Sequence, residues 1–439
     1  MRDDGMDSVA IAPLVVSLLA FTLTYVGIFL ERVHRAIVAL SGAALMIALG
    51  TWFSFYSAHE AMLSVDYDTI ILLMGMMIVV GLFQETGFFQ YLAIRAAKLA
   101  RGRPWLLLLY FGLVTSAVSM VLDNVTTIII VVPVTVSVAD ILGISPLPFL
   151  MGEVLLSNIG GVATLIGDPP NILIGSAAGF GFLDFLVHLM PIVLIVWIAA
   201  QGLLMLVFRR QLMQRSTSVD RLLQMDPRRA IVDPLATRRM LVTLATTILL
   251  FFVHEPIGLD PGLVALIGAC IGLLWVKPDF DRILKDIHWD VLIFFISLFV
   301  IVGGLEASGA IGFLGRGLAA LSEHGVYVPI LVVLWGGAFA SGVISNVPFT
   351  IAMLPIFKGL AAQGIDVAPL WWALAIGVGF GANLTPVGSA ANVVIVSMSE
   401  SLGEKLTLRR WIGSGSTVAL LSCALGTAAI LLAARLGWI

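Results

Sequence analysis

The sequence predicts an all-α membrane protein that crosses the bilayer many times and consists of two inverted repeats. Hydrophobic residues make up 60% of the 439 positions, charged residues only 12%, and the mean hydropathy is +1.07. This composition is typical of a polytopic membrane protein and excludes a soluble domain of this size. Two apolar segments, each interrupted by Gly and Pro, also occupy corresponding positions in two halves of the chain.

The first interrupted segment is residues 157–171, which read SNIGGVATLIGDPPN. Its glycines and the pair Pro169 and Pro170 prevent a continuous helix, because Pro lacks an amide donor and Gly adds backbone freedom. A break at membrane depth leaves backbone groups unpaired, which is tolerated only inside protein or beside a wet cavity. The sequence therefore predicts a discontinuous transmembrane helix over residues 147–178.

The second interrupted segment, residues 381–392, reads GANLTPVGSAAN and repeats the first. An offset of 221 (381 minus 160) joins the two breaks, and an offset of 222 (346 minus 124) joins the residues upstream. A near-constant offset over several elements indicates internal duplication, and paired broken helices indicate the binding site of a secondary transporter. The aligned pairs are Gly160 with Gly381, Thr164 with Thr385, Gly167 with Gly388, Asn171 with Asn392, Asp68 with Asp290, Asn124 with Asn346, and Pro133 with Pro355.

Each half is predicted to hold five spans and one re-entrant helical hairpin. We assign residues 1–208 to the first repeat, 209–239 to a polar, arginine-rich cytoplasmic linker, and 240–439 to the second repeat. Each hairpin consists of two short apolar runs, and the tips lie at Asp123-Asn124 and Ser345-Asn346. The predicted spans are 8–30, 36–53, 68–87, 147–178 and 185–208, then 241–253, 263–276, 291–307, 370–398 and 412–436, and the hairpins are 104–139 and 327–360.

The distribution of Lys and Arg orients this map. Basic clusters at 32–35, 95–103, 209–239, 277–285 and 405–410 should be cytoplasmic, and the loops at 52–67, 176–184 and 254–262 should be outside. Five spans per half satisfy all these assignments, and the odd number inverts the second repeat. The map predicts a multi-pass protein of the cell (inner) membrane whose two termini are extracytoplasmic. It also predicts that the first hairpin enters from the cytoplasm and the second from outside.

The two tips and two breaks should meet near the midplane and form the substrate site. Helix N-termini there expose free N–H groups, while asparagine amides and hydroxyls supply further donors and acceptors without any Lys or Arg. The competing interpretation is that these side chains only cap the broken helices. The predicted substrate-binding residues are Asn124, Thr126, Asn158, Gly160, Thr164, Asn171, Ser345, Asn346, Thr385, Ser389 and Asn392.

Acidic side chains are the candidates for binding a coupling proton or cation. Asp123 and Asp168 lie in the tip and the break, and their repeat equivalents are Ser345 and Ser389, so the duplication does not require carboxylates. Capping of the following half-helix is the alternative for both, and Glu153, in the span before the break, is a further candidate. Cys270 and Cys423 have no metal-ligand spacing, so we predict no metal site. We also predict no cofactor, no nucleic-acid partner and no enzymatic activity.

The motifs resemble those of the ion transporter superfamily over nearly the whole chain. DNVTT at 123–127, GDPPN at 167–171 and SNVP at 345–348 are similar to motifs of the arsenite efflux permeases (ArsB type), the melanosomal P protein and the NhaD-type sodium/proton antiporters. The resemblance implies a scaffold domain and a mobile transport domain that work by elevator-like alternating access. Dicarboxylate members carry Ser-Asn-Thr at both tips, whereas this chain has Asp-Asn-Val and Ser-Asn-Val, which disfavours carboxylate substrates.

On this basis the sequence predicts export of arsenite or antimonite in exchange for protons. The uncharged trihydroxide suits a pocket of amides and hydroxyls with no basic residue. Sodium/proton antiport is the alternative, with Asp123 and Asp168 as cation ligands, and carboxylate symport is a third interpretation. The predicted partners are the small inorganic solute, protons and the lipid bilayer, and the resemblance also admits a homodimer and a soluble ATPase partner.

Overall fold

Every regular element in the described part of the chain is a helix. The computed structural model describes residues 4–30, 32–214, 219–312, 325–401 and 406–438, and no strand occurs within these ranges. In the same ranges, nine helices are long and apolar enough to cross a membrane. The predicted class, an all-α polytopic membrane protein, is confirmed.

The first half contains eleven helices, which include the predicted spans and hairpin together with short connecting helices. They are α1 Asp4–Phe29, α2 Arg35–Trp52, α3 Ala58–Leu63, α4 Tyr67–Gln84, α5 Phe88–Leu99, α6 Pro104–Ser119, α7 Asn124–Leu142, α8 Leu147–Gly161, α9 Pro169–Ala178, α10 Phe182–His188 and α11 Met190–Val207.

Short helices of the linker come next, and the second half then repeats the order of elements of the first. The linker holds α12 Arg209–Leu212, α13 Val219–Gln224 and a 3-10 turn at Pro227–Ala230. The second half holds α14 Pro234–Val253, α15 Pro261–Val276, α16 Phe280–Asp286, α17 Trp289–Ala307, α18 Tyr327–Ile344, α19 Asn346–Ala362, α20 Ala368–Gly381, α21 Ala390–Ser401, α22 Leu408–Trp411 and α23 Thr417–Arg435.

Two helix boundaries differ from the sequence prediction, and proline explains both. α14 begins at Pro234, not near residue 241, because the Asp233 side chain accepts the N–H groups of Leu235 and Ala236 and Pro234 occupies the first turn. The predicted run at 185–208 divides into α10 and α11, since Pro191 lies in the first turn of α11 and cannot continue the preceding helix.

One hairpin arm is longer than predicted. The sequence suggested runs of about 15 residues, too short for a full crossing of about 20. α7 has 19 residues because Pro133 lies within the helix and does not end it, and by length and composition alone α7 is long enough to span. Its partner α6 has 16 residues.

The helices form two groups, which we call the scaffold group and the central group. The scaffold group consists of α1, α2, α4, α14, α15 and α17, in which α4 packs on α15 and α2 packs on α17. The central group contains the hairpins and broken helices, in which α6 packs on α8, α18 on α20, and α9 on α19. Each pairing has its counterpart in the other half, which is the pattern that a twofold axis between the repeats produces.

Side-chain hydrogen bonds repeat with the same offsets. The Ser119 hydroxyl donates to the carbonyl of Ser157 at 3.0 Å, and the Ser341 hydroxyl donates to the carbonyl of Val378 at 2.7 Å. Thus the duplication read from the sequence extends to individual contacts between hairpin and broken helix.

The linker packs against the first repeat, although its composition predicted only a polar connection. Leu222 of α13 is fully buried, and the Lys98 ammonium donates to the Met225 carbonyl at 2.6 Å. The N–H of Val232 donates to the Thr86 carbonyl at 3.0 Å. Residues 215–218 of the linker lie outside the described residues.

The predicted orientation can be checked by cysteine labelling. In a variant without Cys270 and Cys423, His59→Cys on exposed α3 should react with an impermeant maleimide only from outside intact cells. Val232→Cys, whose native side chain is 78% exposed, should react only in inside-out vesicles. Labelling of both positions from one side would contradict the inverted map, because the charge pattern places the two loops on opposite faces.

Candidate functional site

The first helix break is stabilised by one asparagine. Between α8 and α9 the carbonyls of Gly161, Val162 and Thr164 have left the helical pattern, and the Asn171 amide donates to them at 3.2, 3.1 and 2.8 Å. Gly167 closes the turn, since a Cβ there would lie 2.6 Å from the Gly161 carbonyl oxygen. The break is therefore satisfied within the protein, as a non-helical segment at membrane depth requires.

The second break, between α20 and α21, has the same construction. The Asn392 amide donates to the carbonyls of Ala382 at 2.8 Å and Thr385 at 2.9 Å. The threonines also match, because Thr164 donates to the Met120 carbonyl and Thr385 to the Gly342 carbonyl, both at 2.5 Å. Gly160, another predicted site residue, lies where a Cβ would be 2.8 Å from the Ser116 carbonyl, so its role is close helix packing.

A buried amide cluster joins the two broken helices. The Asn158 amide nitrogen donates to the Oδ1 atoms of Asn383 at 2.8 Å and Asn392 at 2.9 Å. It also approaches the Ser389 hydroxyl at 3.3 Å, and that hydroxyl lies 3.4 Å from Asn158 Oδ1. All four side chains are at most 4% exposed, so the cluster connects the halves at the centre of the protein.

At the first tip, Asp123 and Asn124 have different partners. The Asp123 carboxylate accepts the Thr126 N–H at 2.9 Å and caps α7, which is the capping interpretation of this acid. Asn124 Oδ1 accepts hydrogen bonds from the hydroxyls of Ser119 and Ser157. Neither serine was among the predicted site residues, although Ser119 aligns with Ser341 under the 222 offset, and this match was the available signal.

At the second tip, Asn346 reaches the carboxylate of the first break. Its amide nitrogen lies 3.3 and 3.4 Å from the two oxygens of Asp168, which is 2% exposed. Asp168 precedes α9 but makes no capping hydrogen bond, in contrast to Asp123. A buried carboxylate whose hydrogen-bond partner is one neutral amide keeps most of its acceptor capacity for another ligand.

Ser345 precedes Asn346 in a strained backbone conformation. Its φ of 84° and ψ of 152° fall in a region that is essentially restricted to glycine and costs about 1–3 kcal/mol for other residues. The equivalent Asp123 has an ordinary extended backbone, with φ of −66°. Of the two tips, only the second has this strained backbone, and it lies directly against Asp168.

Glu153 lies apart from the tips and breaks, deep between α7 and α8. It is fully buried, and one carboxyl oxygen accepts the Thr135 hydroxyl. The structure therefore brings Asn346 of the second tip to Asp168 of the first break and joins Asn158, Ser389 and Asn392 at the breaks, but Glu153 contacts neither group.

The two segments that form the hairpins and broken helices carry almost no cationic side chains. Residues 104–178 contain no Lys, Arg or His, and residues 327–401 contain only Lys358, which is exposed and about 18 Å along α19 from the tip. Within the described ranges, no group of three His, Cys, Asp or Glu residues could hold a metal ion.

Comparison with known proteins identifies the family to which this architecture belongs. The profile of the citrate transporter family (CitMHS) matches residues 25–377. The chain belongs to the citrate transporter family. An uncharacterized transporter of Mycobacterium tuberculosis is 40% identical to this family member over 424 residues, which cover 94% of this chain and 96% of that protein.

Two further known proteins are similar to this citrate transporter family member. The human P protein is 30% identical over 497 residues, which cover 94% of this chain and 59% of that longer protein. The crystal structure of the YdaH transporter of Alcanivorax borkumensis covers 97% of this chain with a TM-score of 0.62 at 13% identity, which shows the fold alone. The resemblance to the P protein is confirmed, and the chain is a membrane transporter.

Proposed function

We propose that this family member is a secondary active transporter that exports arsenite or antimonite in exchange for protons by elevator-like alternating access. The observation that supports this most directly is the pairing of Asp168 with Asn346. A carboxylate bound by one neutral amide, among amides and hydroxyls on segments nearly free of cationic residues, suits a proton and an uncharged polar solute.

The neutral trihydroxide is the form of substrate that this chemistry favours. Its hydroxyl groups both donate and accept hydrogen bonds, as do the asparagine amides and serine hydroxyls at the tips. Ligation of arsenic by thiolate plays no part in the proposal. Cys270 is exposed on α15 and Cys423 is buried in α23, so neither thiol lies at a tip or a break.

Two observations connect the site to movement between the helix groups. The Tyr25 hydroxyl of α1 donates to the Pro348 carbonyl beside the second tip at 2.9 Å, and Ser176 of α9 donates to Asp66 before α4 at 2.5 Å. Both bonds cross from the scaffold group to the central group. An interface that slides should have few polar contacts to break and remake. A proton on Asp168 would also remove the cost of moving a buried charge.

Sodium/proton antiport is the second candidate, and a specific feature favours it. Both Asp168 oxygens retain lone pairs, which a cation could use together with nearby carbonyl groups. The name of the family suggests a third candidate, a carboxylate. That candidate conflicts with the site, since a polyanion would meet Asp168 and Asp123 with no Lys or Arg nearby to balance the charge.

Uptake into everted membrane vesicles separates the three candidates. We expect arsenite to accumulate when the vesicle interior is acidic and accumulation to stop when a protonophore removes the gradient. Sodium should not dissipate the gradient, and citrate should not enter. Vesicles without the protein give the background. Sodium-dependent proton release without arsenite uptake would replace the proposal by the antiport candidate, and citrate uptake would replace it by the third.

A further inference from the structure

We propose that Glu153 is the intermediate proton-binding residue of a one-sided route between the cytoplasmic surface and the substrate site. This inference rests on the proposed proton coupling and deepens it, because it names the path by which the coupling proton leaves. Three observations support it: Glu153 is buried, one of its carboxyl oxygens has no hydrogen-bond partner, and polar groups lie on either side of it.

The carboxyl group of Glu153 is only half satisfied. Its Oε1 atom accepts the Thr135 hydroxyl, whereas Oε2 is buried and has no hydrogen-bond partner. Neither ion pair in the described ranges involves Glu153. An ionised carboxylate without a partner is very costly in an apolar interior, so Oε2 is the atom at which a proton is bound.

Few other titratable groups lie on the surrounding helices. Helices α6, α7, α11, α20 and α21 pack on α8. Their only side chains that titrate are Tyr110 on α6, Asp140 near the end of α7 and Glu400 on α21, and none of them forms a hydrogen bond with Glu153. The protonation of Glu153 is therefore set by its burial and by Thr135.

Polar groups lead from Glu153 to the first tip. Ser157 lies one turn further along α8, on the same helix face. Its hydroxyl oxygen lies within hydrogen-bond distance of the Ser119 hydroxyl, at 3.0 Å, and of Asn124 Oδ1, at 3.3 Å. A Cβ on Gly161 would lie 2.8 Å from both Asn124 Oδ1 and the Gly167 carbonyl oxygen, so the polar groups extend to the residue before Asp168.

The opposite direction leads to the surface. Glu153 lies six residues from the start of α8, about 9 Å along the helix, and Thr135 lies five residues before exposed Asp140. The predicted topology places this end of the first hairpin at the cytoplasm. Glu153 thus lies between this end of the hairpin and the tip, as an intermediate proton-binding residue must.

The second repeat shows that the fold does not need this polar pair. With the offsets of 222 and 221, Thr135 corresponds to Phe357 and Glu153 to Leu374, both fully buried. Ser157 likewise corresponds to Val378. A route built in one repeat and replaced by apolar side chains in the other serves one face of the membrane only, which is what directional proton release requires.

The test compares two kinds of transport by the purified protein in liposomes. Proton-coupled net transport is followed with a trapped pH indicator, and proton-independent exchange is followed with labelled arsenite on both sides. For Glu153→Gln, which keeps an acceptor for Thr135, we expect net transport to fall at least about tenfold, because a positioned proton-transfer group contributes about 100-fold or more. Exchange should stay within about twofold of wild type.

Controls separate the route from packing and from the proposed function. Glu400→Gln removes an exposed acid and should change neither rate, and Glu153→Asp should retain most net transport. Wild-type net transport in Glu153→Gln would overturn the inference. Equal loss of both rates, with recovery in the double variant Thr135→Phe, Glu153→Leu, would show a packing role and overturn it too. Failure of the wild-type protein to couple protons would instead refute the proposed function.

Discussion

Replacing Asp168 by asparagine is expected to abolish proton-driven uphill export while downhill exchange of the same substrate stays within about twofold of wild type. Asparagine keeps the size of the side chain and still accepts the Asn346 amide, but it cannot bind and release a proton. Transport into proteoliposomes under an imposed pH gradient measures the first quantity, and exchange without a gradient measures the second.

Asp123→Asn is the matched control for this substitution. Asp123 accepts the Thr126 N–H as the cap of α7, and asparagine is as good a cap as aspartate. Uphill export should therefore persist in Asp123→Asn. If Asp168→Asn still concentrates substrate against its gradient, Asp168 does not carry the coupling proton, and loss of coupling in Asp123→Asn alone would move that role to the tip.

The positions of the two breaks could be predicted from sequence because their cause is local. Glycine and proline act through backbone conformation and the missing amide donor, wherever they occur in the fold. The repeat offset then paired elements that lie far apart in the chain, and the paired threonine and asparagine bonds at the breaks follow it residue by residue. The duplication in the sequence therefore predicts individual contacts as well as the order of the elements.

The roles of individual polar residues could not be predicted in this way. Asn171 and Asn346 are both tip or break asparagines, yet one binds backbone carbonyls and the other a carboxylate. This difference depends on which groups the opposite repeat places nearby, which one segment cannot encode. The strain at Ser345 escaped prediction for a similar reason, since serine ordinarily avoids that backbone region.

The packing of the linker could not be predicted from the sequence either. Its arginines predicted the cytoplasmic side through a rule that depends on charge alone. The packing of Leu222 and the bond from Lys98 to Met225 depend on the surface of α5 and its neighbours, which is formed only in the folded chain. Whether the division at 208 and 240 separates functional units stays a prediction, although α14 already begins at Pro234.

Asn346→Ala and Asn171→Ala should fail in different ways, although each removes one buried amide. Asn346→Ala is expected to lower transport at least about tenfold, because Asp168 loses its amide partner, while the melting temperature of the purified protein falls by less than in Asn171→Ala. Asn171→Ala should instead lower stability, since the three carbonyls of the break lose the two amide hydrogens that they share, at about 1–3 kcal/mol for each group left unsatisfied. Thermal unfolding in detergent and arsenite exchange in liposomes, measured on both variants, give the comparison. A stable Asn171→Ala protein without exchange would assign Asn171 to the substrate, and an unstable Asn346→Ala protein would reduce Asn346 to a structural residue of the second tip.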